Sequence, residues 1–151
     1  MMKLPRFLDA PEANIVLFGV LLNFPWEMWQ APLYAGMAEA SQMTALVRCS
    51  LASIGDAAIL LAAFSIASAA ARSRLWFRQP HRRVLTLFVG AGLAISLLIE
   101  WLATSADLPG WSWRYGAAMP VIPLIGAGVA PLAQWIAVPL ATIWFVRRQL
   151  S

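Results

Sequence analysis

Four long apolar runs, at about 14–35, 51–71, 84–104 and 119–146, alternate with short polar connections along this chain. Each run is near or above the roughly 20 residues that a helix needs to cross the hydrocarbon core of a bilayer. None has the alternating polar and apolar rhythm of a barrel strand, and backbone left unpaired in lipid leaves the helix as the remaining option. The pattern predicts an all-α fold, an integral membrane four-helix bundle. Residues 1–151 form a single transmembrane domain in this reading, with no linker or internal repeat dividing it.

The polar residues inside these runs carry the next layer of information. Asn23, Glu27, Gln30 and Tyr34 fall at i, i+4, i+7 and i+11, one polar stripe on a helix, with Trp26 and Trp29 beside it. Pro25 removes a backbone donor in that helix and is expected to bend it. In the second run Ser50 or Ser53 is placed to cap the helix, which puts Asp56 in or near a first turn, where the helix dipole favours an acid. The third run has Gly90 and Gly92 for close helix approach, then Ser96, Glu100 and Thr104 on one face, with Trp101 next to the acid. The fourth holds Pro120, Pro123, Pro131, Pro139, Gly126 and Gly128, so an irregular helix is expected there, with Gln134 and Trp135 near its middle.

Composition and charge sharpen this picture. With 61% hydrophobic and 12% charged residues among 151, the chain is too apolar for a soluble domain of its size. Of its eleven Lys and Arg, nine cluster before the first run, between the second and third, and after the fourth; only Arg48 and Arg114 lie elsewhere. The positive-inside rule then makes both termini and the 72–83 connection cytoplasmic. That anchoring role accounts for the basic residues, so nucleic acid is not expected as a partner. The first run is too long for a cleaved leader, has no clean small-residue cleavage site and reads as a retained span. Cys49 is the single cysteine and His81 the single histidine, so neither a disulfide within the chain nor a metal cage is expected, and no cofactor is called for.

Topology and depth together gather the three intramembrane acids. Glu27, Asp56 and Glu100 all fall in the extracytoplasmic half, while the cytoplasmic half of every span reads as almost purely apolar. Such an asymmetry argues against a path through the membrane. It favours a pocket facing outward or into the outer leaflet, lined by Glu27, Gln30, Asp56, Glu100, Arg114 and tryptophans. A carboxyl group buried among aromatics can act as a general acid, a second can take a proton, and indole faces stabilise a carbocation. Those parts suit isomerisation or cyclisation of an isoprenoid or other lipid. Glu27 is the candidate acid and Glu100 or Asp56 the base; Trp26, Trp101 and Trp135 are the walls, and Asn23, Gln30, Arg114 and Gln134 the polar contacts. Two other readings stay open. The acids can pair with Arg48 and Arg114 as purely structural ion pairs. The chain can also be a non-catalytic lipid- or pigment-binding subunit, in a homo-oligomer or a larger membrane complex.

Written as motifs, the chain has Asn23-x2-Trp26-Glu27-x2-Gln30-x-Pro32-Leu33-Tyr34, Cys49, Gly55-Asp56, Glu100-Trp101 and Trp113-x-Tyr115. It ends with Met119-Pro120-x2-Pro123-x2-Gly126-x-Gly128-x2-Pro131-x2-Gln134-Trp135. Over nearly its whole length it resembles small four-span bacterial integral membrane proteins of unassigned activity, which implies a bacterial inner-membrane, multi-pass location. It departs from their pattern at Arg48, where they have a His before the Cys, and at Ala103, where they have an Asn after Glu-Trp. The Asn23-x2-Trp26-Glu27 element alone is similar to the paxilline-type integral membrane terpene cyclases. In those larger proteins a pair of acids protonates and guides a polyprenyl chain, a role the resemblance carries to Glu27 only.

Overall fold

Local chemistry at the helix ends decides where each element begins. Pro11 opens α1 (Pro11–Gln30) at a position whose N–H has no intrahelical partner in any helix. A short 3-10 turn, Ala31–Leu33, follows, and Tyr34 leaves it in extended conformation. Ser41 caps α2 (Gln42–Ala71), its hydroxyl accepting the Thr44 N–H at 3.1 Å. Arg72 ends α2 in the left-handed conformation, and a 3-10 turn, Trp76–Arg78, leads to α3 (Arg82–Ser105). A two-stranded antiparallel hairpin pairs β1 (Val121–Ile122) with β2 (Ala127–Gly128), with Val121 opposite Gly128 and Ile122 opposite Ala127. It runs straight into α4 (Val129–Gln149). The structure, a computed structural model, describes residues 9–105 and 112–151. Lys3, Arg6 and the 106–111 part of the aromatic loop, with Asp107 and Trp111, lie outside them.

The all-α expectation holds for four helices, and three of them, α2, α3 and α4, are long and apolar enough to cross a membrane. α1 has the length, but Asn14, Asn23, Glu27 and Gln30 make it too polar to join them by composition. Two boundaries differ from the sequence reading. α2 starts well before residue 51 because Ser41, and neither Ser50 nor Ser53, is its cap, so Asp56 lies near mid-helix and far from any first turn. Residues 119–128 are not helical. Pro120 and Pro123 supply no N–H, and Gly126 takes a positive φ of 66° that closes the hairpin turn, its N–H reaching the Ile122 carbonyl at 2.9 Å.

The helices form a ring in which α1 packs on α2 and α4, and α3 packs on the same two. One end of the bundle carries the start of α1, the 72–81 connection and the end of α4 and is basic; the other carries the α1–α2 loop and the hairpin. At the basic end the core is aromatic. Phe64 packs at a tilt against Trp76 and Trp76 against Phe88, with ring centroids 5.7 and 5.6 Å apart, and the indole N–H of Trp76 donates to Ser68 at 3.2 Å. Midway along, Gly92 lets the Trp135 ring lie against α3, since a Cβ there would sit 2.8 Å from it. Gly90, by contrast, faces open space.

Candidate functional site

The stripe on α1 survives folding in part. Asn23 and Gln30 are 1% and 2% exposed, on the same face as Glu27, whereas Tyr34 has left the helix. Opposite that face, in the second turn of α4, stands Gln134. Its side-chain nitrogen donates toward Asn23 Oδ1 at 2.8 Å, Glu27 Oε1 at 2.8 Å and Asp56 Oδ2 at 3.0 Å. An amide nitrogen has two protons, so three acceptors on two helices compete for two donors. Gln30 Nε2 adds a second link, donating to Glu27 Oε1 at 2.8 Å and to Gln134 Oε1 at 3.0 Å. The Glu27 and Asp56 carboxyls also lie within hydrogen-bonding reach of one another. One amide therefore ties together α1, α2 and α4.

Glu100 belongs to a separate group. Its carboxylate accepts the Tyr115 hydroxyl proton at 2.5 Å, and that hydroxyl oxygen accepts the Gly128 N–H at 2.9 Å. Burial, and then the carboxyl it serves, push the Tyr115 phenol above its usual range, so it stays a protonated donor. The Trp113 indole lies close enough to Glu100 to interact with its carboxyl. Beside the acid is a small cleft of about 10 Å³, bounded by Leu93, Ser96 and Leu97 of α3, Ala127 of the hairpin and Leu132 and Trp135 of α4. That is room for about one water. The sequence singled out Glu100 but not its partners: Trp113 and Tyr115 sat in an aromatic loop that reads equally well as an interfacial belt.

A backbone clasp covers both groups. Tyr34 pairs with Tyr115 as an isolated antiparallel bridge; the Ala35 N–H donates to the Arg114 carbonyl at 2.9 Å and the Gly116 N–H to the Leu33 carbonyl at 2.8 Å. The two tyrosine rings lie 5.8 Å apart.

Three expectations change at this point. Neither Arg48 nor Arg114 pairs with the acids: both are exposed, Arg48 reaches only the Met37 sulfur, and among the described residues the one ion pair joins Arg74 to Glu12. Instead of one continuous pocket there is a filled amide and carboxyl network and a small cleft at Glu100. Of the wall residues, Trp135 is buried and lines the cleft, Trp26 is half-buried and edge-on to Trp29, and Trp101 is 60% exposed. The basic half is also less purely apolar than its sequence reads, since Asn14, Ser68 and Thr142 are buried there. Among the described residues no group of three His, Cys, Asp or Glu is placed to hold a metal ion.

No protein-family model, curated protein or solved structure matches this chain. What the site can do therefore rests on its own geometry.

Proposed function

We propose that this chain is a four-span membrane protein with both termini cytoplasmic, as in a bacterial inner membrane, and that its acids transfer protons to and from an isoprenoid or other lipid. Large exposed apolar side chains on every helix, among them Leu21, Leu51, Ile54, Leu98 and Ile136, support burial in lipid. In the extracytoplasmic half, Glu100 is the group that meets the substrate: it borders a small cleft that the Trp135 indole also lines. Tyr115 orients the carboxyl. Glu27 and Asp56, bridged by Gln134, hold a proton between them in the layer behind.

The observation that carries this reading is that, among the described residues, none of the three acids has a basic partner while each has neutral donors around it. A carboxyl group so placed has its charge unmatched and is suited to exchanging a proton; structural ion pairs would look different. The cleft has to widen to admit more than a water, and its walls of Leu93, Leu97 and Leu132 have flexible side chains.

The test compares lipid and terpenoid extracts, by untargeted mass spectrometry, from cells expressing wild type, Glu100→Gln, Glu27→Gln or an empty vector. A species made by wild type and lost in Glu100→Gln at equal protein level supports the reading. Four matching profiles in a host that makes isoprenoids would overturn it.

The Gln134 network, which crosslinks α1, α2 and α4, favours a second reading, a non-catalytic lipid- or pigment-binding subunit of a homo-oligomer or larger complex. There the buried amides serve only to lock the helices. Purification in mild detergent with a stoichiometric partner or pigment would support it.

A further inference from the structure

The β1–β2 hairpin is unusual in what it exposes. Leu124 at its tip is 95% exposed, Ile125 54% and Val121 40%, and Val129 at the start of α4 is 43% exposed. No charged residue occurs from Tyr115 to Val146, so the hairpin belongs to the same uncharged stretch as α4. Its backbone is equipped for a dry setting. The N–H groups of Gly126, Gly128 and Val129 go to the Ile122 carbonyl, the Tyr115 hydroxyl and the Pro120 carbonyl, at 2.9, 2.9 and 2.8 Å. Pro120, Pro123 and Pro131 have no N–H to satisfy.

Length points the same way. With Arg147 and Arg148 at the cytoplasmic boundary, the uncharged part of α4 runs from Val129 to Val146. At about 1.5 Å per residue that is about 27 Å. The hydrocarbon core is about 30 Å thick, and any tilt shortens the reach of the helix. The uncharged part of α4 therefore spans the core with nothing to spare, and tilt of the helix would draw the adjoining hairpin into the outer leaflet. Non-helical backbone in the hydrocarbon region needs its polar groups satisfied by protein, and the Gly126, Gly128 and Val129 N–H groups are so satisfied.

We infer that the 119–128 hairpin is a re-entrant element whose Leu124–Ile125 tip lies among the acyl chains of the outer leaflet. The occupant of this apolar surface is lipid, and the Glu100 cleft, bounded by Ala127 of the same hairpin, is then flanked by lipid and not by water. This rests on the membrane-spanning reading above and narrows the substrate class to molecules dissolved in the bilayer.

The experiment uses the full chain with Cys49→Ala, carrying one new cysteine at Leu124, Leu140 or Glu39, labelled with a small fluorophore in phosphatidylcholine vesicles. Leu140 reports the exposed face of α4 and Glu39 the exposed α1–α2 loop. Quenching is compared between aqueous iodide and lipids bearing a nitroxide on the acyl chain. The inference expects the Leu124 and Leu140 probes to lose most of their fluorescence to the nitroxide lipids and little to iodide, with the reverse at Glu39. A Leu140 probe quenched by lipid beside a Leu124 probe quenched by iodide would overturn the hairpin assignment and leave the membrane reading standing. Shielding of Leu124 from both quenchers would mean that protein covers the tip, and would also overturn it. Iodide access at both Leu124 and Leu140 would remove the membrane reading and the inference together. Leu124 is so exposed that its replacement leaves the packing intact, which an unchanged melting temperature verifies.

Discussion

The two ends of the bundle are held together by different forces. At the basic end, Phe64, Trp76, Phe77 and Phe88 interlock as rings, and the polar atoms among them are few. At the hairpin end, five polar side chains from three helices share a handful of protons. Ring packing is non-directional and tolerates small shifts. A network with more acceptors than donors is directional, and its arrangement changes when one proton moves. That difference separates a part built for cohesion from a part able to change state.

Breaking the basic end has the largest expected effect. Phe64→Ala removes a ring that touches both Trp76 and Phe77. A loss of about 3–5 kcal/mol is expected for such a cavity, read as a lower melting temperature in detergent. The lipid extract at equal protein level should not change; a changed extract would show that the two ends are not separate.

Gln134→Leu attacks the other end. It leaves oxygens of Asn23, Glu27 and Asp56 without their shared donor, at about 2–4 kcal/mol for the unsatisfied buried groups. The melting temperature should fall, and a longer, charged donor in Gln134→Lys should restore part of the loss by serving the same carboxyls. No loss in the leucine variant would show that the amide is not the hub.

A smaller effect is expected for Tyr115→Phe, which keeps the ring beside Tyr34 and removes the hydroxyl that serves Glu100 and Gly128. About 1–2 kcal/mol is expected from the lost hydrogen bonds. If Glu100 exchanges protons with substrate, the extract should change more than stability does.

The least effect concerns the exposed Arg74–Glu12 pair, which fastens α1 to the α2–α3 connection. The Arg74 guanidinium holds the Glu12 carboxyl below its usual range. A depressed carboxyl contributes stability that is present above its unfolded value, about 4.3, and is lost as the pH falls through the lower folded value. The melting temperatures of wild type and Arg74→Gln should therefore differ slightly at about pH 7, less in high salt, and converge in acid. A gap that widens in acid would reverse the assigned sign.

Much of the bundle was legible because a run of some twenty apolar residues admits few structures in lipid. The stripe of Asn23, Glu27 and Gln30 was legible for a similar reason, helical spacing being a local property. The hub was not. Nothing near Gln134 in sequence indicates that three acceptors from α1 and α2 will converge on it, since that depends on how α4 is rotated. Asp56 was misplaced because hydropathy marks where a run becomes apolar, whereas the helix starts where Ser41 offers a cap. Residues 119–128 read as an irregular span because proline and glycine announce a break without specifying the hairpin that replaces the helix.

The clasp between Tyr34 and Tyr115 also bears on how the chain assembles. Its partners are 81 positions apart, and each lies in a loop that joins two oppositely directed helices. In the proposed topology these loops reach the same side only when all four helices have entered with alternating direction. A chain with α3 inserted the wrong way round would leave the Leu33 carbonyl and the Ala35 N–H without their partners on Gly116 and Arg114. In the proposed topology the clasp therefore closes only in chains whose four helices alternate in direction.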